Sequence, residues 1–248
     1  MKPIGIVSAL AAEARTLGPA TPHGAGLRQL ADGALLAVSG MGESAAAAAA
    51  RRLVLAGASA LASFGMAGGL DPTLICGTLL LPEEVAVYGR GGSENMGCAT
   101  SLDWRRRLRA ALPAACIVCG GKLLTSERPI GRAHAKAAAW RDSHAAAIDM
   151  ESAAIAQVAG QAGLPFIALR VIVDTASDDQ PAAVVAASTG GELRVGVLLG
   201  GLLRAPGDVR SLIRLSARYR IARSVLTTVA GPGSASRCAF ISGPEAQT

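Results

Sequence analysis

The sequence predicts an α/β fold: a three-layer α/β/α sandwich around a central mixed sheet. Three observations carry this expectation. Apolar runs of strand length alternate with alanine-rich helical stretches from residue 4 to residue 173. Several runs, above all residues 165–173, are apolar throughout save Arg170, as strands covered on both faces are. Only 3% of the 248 residues are aromatic while 51% are hydrophobic, which suits helices lying close on a sheet better than an aromatic-rich β-sandwich. The length allows one large core, and with 17% charged residues the chain is too apolar to be disordered.

The elements follow in order. Residues 4–10 form a short buried strand, with a helix starting at Ala11. Residues 34–39 form another strand, SGMG at 39–42 a loop, and residues 43–56 a helix rich in alanine, the strongest helix former. Residues 58–64 are a strand, GMAGG at 65–69 a loop, and Asp71-Pro72 a turn. The uncharged stretch 53–70 has bilayer-spanning length. Its four glycines and two serines make it a helix end, a buried strand and a loop instead. Residues 78–81 and 84–88 are strands, and residues 89–97 a glycine-rich stretch. Residues 101–112 are a helix with Asp103 near its start and arginines after it, as the helix dipole favours. Residues 115–118 and 122–125 are strands and residues 131–143 a helix. Ile148 opens a segment that runs into a helix at 151–162.

Charge is unevenly placed. The formal net charge is +6, yet residues 193–237 hold eight arginines against one acid, Asp208, leaving a near-neutral body. From Val209 the apolar residues recur at helical spacing, with Arg210, Arg214 and Arg218 every four residues. This is a basic amphipathic helix, preceded by a short apolar hairpin or helix at 195–203. It is expected to pack on the domain and show its arginines to water. Docking on the inner face of an anionic membrane is the sharper alternative. No aromatic platform or nucleic-acid motif accompanies the arginines, so no nucleic-acid partner is expected.

The opening MKPIGIVSAL has no A-x-A-like cleavage site, so a cytoplasmic protein with reduced thiols is expected. Of the five cysteines, Cys116 and Cys119 form a C-x-x-C in AACIVCGG. That run reads as a buried strand, and no second pair stands at zinc spacing, so neither metal nor cofactor is expected. Gly40-x-Gly42-x-x-Ala45 sits between strand and helix like a dinucleotide fingerprint, but the next strand ends in Ser63-Phe64-Gly65 without the ribose-binding acid.

Ligands in layered α/β folds gather at the carboxyl ends of strands. Glu13, residues 40–42, 65–69 and 125–128, and Asp174 all follow strands and are expected to converge. Taken singly, Glu13 is a first-turn carboxylate, Asp149 a helix cap and Asp174 a turn acid. What stands out is the combination: Glu13, Glu151 and Asp174 each lie at a strand end or a helix start.

GIVSALAAEA, the SGMG loop, MAGGLDPTL, IDMESAAIA and PFIALRVIVD occur here in order. In this the chain resembles the nucleoside phosphorylases and methylthioadenosine/adenosylhomocysteine nucleosidases over residues 3–178. Residues 1–192 are expected to form the catalytic domain, residues 193–237 a basic amphipathic helical extension that is not a separate domain, and residues 238–248 a disordered tail. The resemblance implies that Glu13 activates water and Asp174 protonates the purine. It implies that Met41, Gly42, Met66, Ala67, Gly68, Met150, Glu151 and Arg170 bind the substrate, with Glu151 on the ribose hydroxyls. It also implies a homodimer. MESAAIA with VDTASDDQPAA and the basic tail is most similar to the hopanoid-associated branch, which implies release of adenine from adenosylhopane, a lipid-linked nucleoside. The alternatives are a methylthioadenosine/adenosylhomocysteine nucleosidase, a purine nucleoside phosphorylase, or a non-catalytic nucleoside-binding protein. The nucleophile is expected to be water rather than phosphate, because Glu13 repels a dianion. The chain departs from the family pattern at Met66 and Val173, where serines are usual, and lacks an aromatic near Pro129.

Overall fold

A computed structural model of the chain describes residues 2–89, 97–180 and 208–244. Twelve strands among them form one sheet, with helices on both faces. The first half supplies β1 (Gly5–Ser8), α1 (Ala11–Ala14), β2 (Ala20–His23), β3 (Leu27–Leu30), β4 (Leu35–Val38), α2 (Glu43–Leu55) and β5 (Leu61–Gly69). Then come β6 (Leu79–Leu80), β7 (Glu84–Val87), β8 (Cys98–Ala99), α3 (Leu102–Ala110), β9 (Val118–Cys119) and β10 (Lys122–Thr125). The remainder holds α4 (Ala133–Ser143), β11 (Ala147–Asp149), α5 (Ser152–Gln161), β12 (Phe166–Asp174), α6 (Asp208–Ala230) and α7 (Ala235–Ile241).

Strand β5 is the hub. Along its first half it pairs in parallel with β1, through Val7 opposite Ser63. That edge is then taken over by β11, which runs antiparallel with Ile148 opposite Gly68. On its other edge β12 follows it in parallel from Phe166 opposite Leu61 to Asp174 opposite Gly68, with a bulge after Ile172. The carboxyl ends of β1, β11 and β12 therefore meet around residues 65–69. This corrects the expected loop at 65–69: glycine punctuates sequence, but here it lets the strand run on while side chains from three neighbours approach its backbone.

One face of the sheet is covered by α2 and α5, whose buried alanines (Ala46, Ala49, Ala50, Ala156, Ala159) let the two helices approach closely. The other is covered by α3, α6 and α7 through Trp104, Leu108, Ala222, Leu226, Val229 and Phe240. Leu61 enters the first core and Ala62 and Phe64 the second, as on a strand buried on both sides.

Three expectations change. The 115–118 strand shrinks to the two residues of β9. The β2–β3 hairpin was not foreseen, since exposed ATPH carries a proline and little apolar character. The folded chain also continues beyond residue 237. Helix α7 carries Phe240 into the core, fully buried, with its ring 5.9 Å from Phe64 and 6.3 Å from Trp104. The Trp104 indole N–H donates to the Phe240 carbonyl at 2.9 Å. The 195–203 segment, the boundary at 192, residues 90–96 and residues 245–248 lie outside the described residues. Among those described, no helix is long and apolar enough to cross a membrane.

Candidate active site

Glu13 sits in the first turn of α1, beyond the end of β1, and is 3% exposed. One carboxylate oxygen accepts the Met66 N–H at 2.9 Å. The other accepts the Leu10 N–H at 3.2 Å and the Ser8 hydroxyl at 3.3 Å. The Met66 amide is available because β1 has left that edge of β5 and β11 has not yet arrived. The bond comes from backbone, so methionine in place of serine at 66 does not remove it. Burial pushes the Glu13 carboxyl above the ordinary carboxylate range, while the Arg170 charge and the Met66 and Leu10 amides pull the other way.

Arg170 lies mid-strand in β12, almost wholly buried, and anchors the polar cluster. Its guanidinium pairs with Asp149 Oδ2 at 2.8 Å, donates to Ser63 Oγ at 2.7 Å and to Ser152 Oγ at 3.1 Å, and stands 3.9 Å from Glu151 Oε2. Asp149 in turn accepts from Thr125 Oγ1 at 2.7 Å and from the amides of Glu151 and Ser152, so it caps the start of α5 while pairing the arginine. Gly65 makes the approach sterically feasible. A Cβ there would stand 2.6 Å from Arg170 Nη1 and 2.8 Å from Glu13 Oε2.

Glu151 Oε1 accepts the Gly42 N–H at 2.8 Å, which joins the loop before α2 to the start of α5. Burial, then the neighbouring Asp149 charge, pushes Glu151 up to about 7 against the pull of Arg170 and the Gly42 amide. Gly42 holds φ at +97°, a backbone conformation that favours glycine. Met41 and Met150, next to these two in sequence, are half-buried, whereas the Ala67 methyl is buried in the apolar core.

Asp174 ends β12 and is also buried. Its carboxylate stands against Gly68, where a Cβ would lie 3.3 Å from Oδ1. Oδ2 is ion-paired with Lys136 of α4, and Oδ1 has no hydrogen-bond partner among the described residues. Asp174 lines a cavity of about 190 Å³ with residues 177–180 and with Arg214, Leu215 and Arg218 of α6. Arg218 ion-pairs with Asp178.

Glu13, Glu151, Arg170, Gly42 and Met66 thus form one connected cluster. Asp174 and Gly68 lie three residues further along β5, about 10 Å at strand rise. Glu13 and Glu151 are not in the wall of the Asp174 cavity. Arg15 and Arg28 line a different cavity of about 220 Å³ beside α1. Tyr219 of α6 reaches the Glu13 side: burial, then the Glu13 charge, raises its phenol above the ordinary value. Sequence reasoning missed Ser63, Ser152, Lys136 and Tyr219. The two serines left a signal, as lone polar residues inside apolar runs; the lysine in an alanine-rich helix left none.

Comparison with known proteins gives a concordant picture. The Phosphorylase superfamily profile matches residues 3–199. No curated relative matches the sequence. Among solved structures, the chain is similar to the 5′-methylthioadenosine/S-adenosylhomocysteine nucleosidase of Neisseria meningitidis in complex with methylthio-immucillin-A. That likeness has a TM-score of 0.65 and 21% identity, over 90% of this chain and 100% of that one. The Colwellia psychrerythraea nucleosidase in complex with adenine gives 0.64 and 23%, over 82% and 96%. The futalosine hydrolase of Helicobacter pylori gives 0.64 and 18%, over 86% and 97%. At these identities the likeness establishes the shared fold.

Proposed function

We propose that this chain, which belongs to the Phosphorylase superfamily, hydrolyses the N-glycosidic bond of an adenine nucleoside. The carrying observation is that Glu13, Glu151 and Arg170, far apart in sequence, share one buried cluster where the carboxyl ends of β1 and β11 meet the middle of β12. The similar structures include nucleosidases solved with adenine and with methylthio-immucillin-A, which supports an adenine nucleoside.

In this reading Glu151 accepts hydrogen bonds from the ribose hydroxyls, beside Met150 and Gly42. Glu13 takes a proton from the attacking water and faces the positive charge growing on the sugar. Asp174 offers Oδ1 to the purine. Met41, Met66, Ala67 and Gly68 supply the walls and backbone around the nucleoside. A positioned acid or base is typically worth about 10²–10⁴ in rate.

Water is favoured over phosphate on electrostatic grounds. A dianion beside Glu13 would face Glu13, Glu151 and Asp149, and the Arg170 guanidinium of that cluster is already paired. The lipid-linked nucleoside adenosylhopane, homodimer assembly and a cytoplasmic location at the inner membrane face remain part of the proposal on the strength of the resemblance and the basic segment. Helix α6 already buries Ala222, Leu226 and Val229 within the domain, so membrane contact would fall to its arginines.

The test is adenine release from adenosine, methylthioadenosine and adenosylhopane, with and without phosphate. Release without phosphate is expected. Strict phosphate dependence would replace hydrolysis by phosphorolysis, and no release from any substrate would overturn the reading.

A further inference from the structure

Lys136 is wholly buried, and every proton of its ammonium group is accounted for. It donates to Asp174 Oδ2, to the Thr175 carbonyl at 2.9 Å and to the Asp178 carbonyl at 3.1 Å. The start of α4 is tied to the same segment twice more, through the Ala133 amide on Asp179 Oδ1 at 2.8 Å and the Gln180 amide on the Gly131 carbonyl at 2.7 Å. Burying an ammonium is unfavourable unless it is paired and hydrogen-bonded, and here its partner is the acid assigned to the leaving base. The other oxygen of that acid is buried and unpartnered among the described residues. A carboxyl with one oxygen clamped presents the other in a single orientation.

We propose that Lys136 is a positioning residue for the glycosidic cleavage: it locks Asp174 Oδ2, aims Oδ1 at the base, and matches the charge left on Asp174 when its proton departs. The inference rests on the hydrolysis reading above. In the step, the bond between C1′ and the purine nitrogen breaks and its electron pair goes to the purine. The Asp174 proton moves to the five-membered ring of the purine, leaving a carboxylate against the Lys136 ammonium. Water oxygen bonds C1′ and its proton goes to Glu13. One proton leaves Asp174 and one arrives at Glu13. The other charged or titratable groups around Asp174 are Asp178 and Asp179 on its own segment, Arg214 and Arg218 on α6, and Cys76 before β6. Asp178 and Arg218 already pair with each other. Among the described residues, Lys136 is the one cation in ion-pair contact with Asp174.

Lys136→Gln and Lys136→Met in the full chain test this. Expected are a kcat lower by about 10- to 100-fold, part of the 10²–10⁴ a positioned acid supplies, and KM within about threefold. A loss confined to kcat, with KM held, separates positioning of the acid from a looser substrate pocket. Unchanged kcat in folded variants would overturn the role of Lys136 while leaving hydrolysis intact. Wild-type protein that releases no adenine from the substrate panel overturns both. Should both variants fail to fold, ¹⁵N-lysine labelling of the wild-type chain decides. Of the three lysines only Lys136 is wholly buried, so it should give one slowly exchanging ammonium signal that moves when adenine is added. A signal that adenine does not move overturns the proposal.

Discussion

The Gly42 amide donates to Glu151 Oε1 at 2.8 Å across 109 residues of chain. Gly42 is the residue before α2 and Glu151 the residue before α5, so the amino-terminal ends of two packed helices meet at one carboxylate. Their dipoles favour its charge, yet burial and Asp149 outweigh them and raise it to about 7.

A pH dependence of binding follows. An ionised Glu151 accepts from two ribose hydroxyls and a protonated one does not, so nucleoside affinity should rise as pH increases through about 7. Titration calorimetry with adenosine between pH 5 and 9 measures it. Glu151→Gln should bind weakly and lose the dependence. For stability the sign is opposite. The folded state holds this proton more tightly than the unfolded one, so the contribution is complete below about 4.5 and is lost as pH rises through about 7. Glu151→Gln should therefore flatten the melting-temperature profile across that window.

Glu13→Gln separates catalysis from folding. Turnover should fall by about 10²–10⁴ because an amide cannot take the water's proton. Gln keeps one acceptor oxygen for either Met66 or the Leu10 and Ser8 side, so the stability loss should stay near 1–3 kcal/mol. Circular dichroism melts alongside the adenine assay would show this. A variant with full turnover removes Glu13 from the chemistry.

Gly65→Ala probes the close approach. The new methyl would overlap Arg170 Nη1 and Glu13 Oε2. Neither can retreat, since both are buried and hydrogen-bonded, so the carboxylate must move. Displacement on the order of 1 Å can lower the rate about 10²-fold. The expected result is a fall in kcat/KM of at least that size, whereas Gly24→Ala, where a Cβ meets nothing within 4 Å and the backbone is not left-handed, should be silent in the same assay.

Phe240→Ala tests whether α7 belongs to the domain. Truncating a wholly buried phenylalanine typically destabilises by about 3–5 kcal/mol. A urea titration should register that loss, while kcat per folded molecule stays near wild type, because Phe240 touches Phe64 and Trp104 rather than the cluster around Arg170.

Layering, and the strands that lead into the site, were readable in the residues because continuous apolar runs of strand length have few other uses. Glu13, Glu151, Arg170 and Asp174 stood out as charges inside or beside such runs. What escaped reading depends on distance in sequence. Residues 65–69 look like a loop until β12 and β11 are seen flanking them. Lys136 looks like a solvated helix residue until Asp174 is seen against it. Phe240 lies in a polar, glycine-flanked tail, and only the gap between Phe64 and Trp104 gives it a place. The Asp149–Arg170–Ser63–Ser152 network is likewise a product of register: β12 sets Ala168 opposite Ser63 and Arg170 opposite Gly65.

The Phe240 plug has a bearing on how the protein is made. Trp104 precedes the carbonyl it bonds by 136 residues. At about 5–20 residues per second, a ribosome needs on the order of ten seconds to cover that stretch. During that interval the nascent chain presents an aromatic socket to water or to a chaperone, so this face of the molecule closes only after the segment carrying α7 has emerged from the exit tunnel.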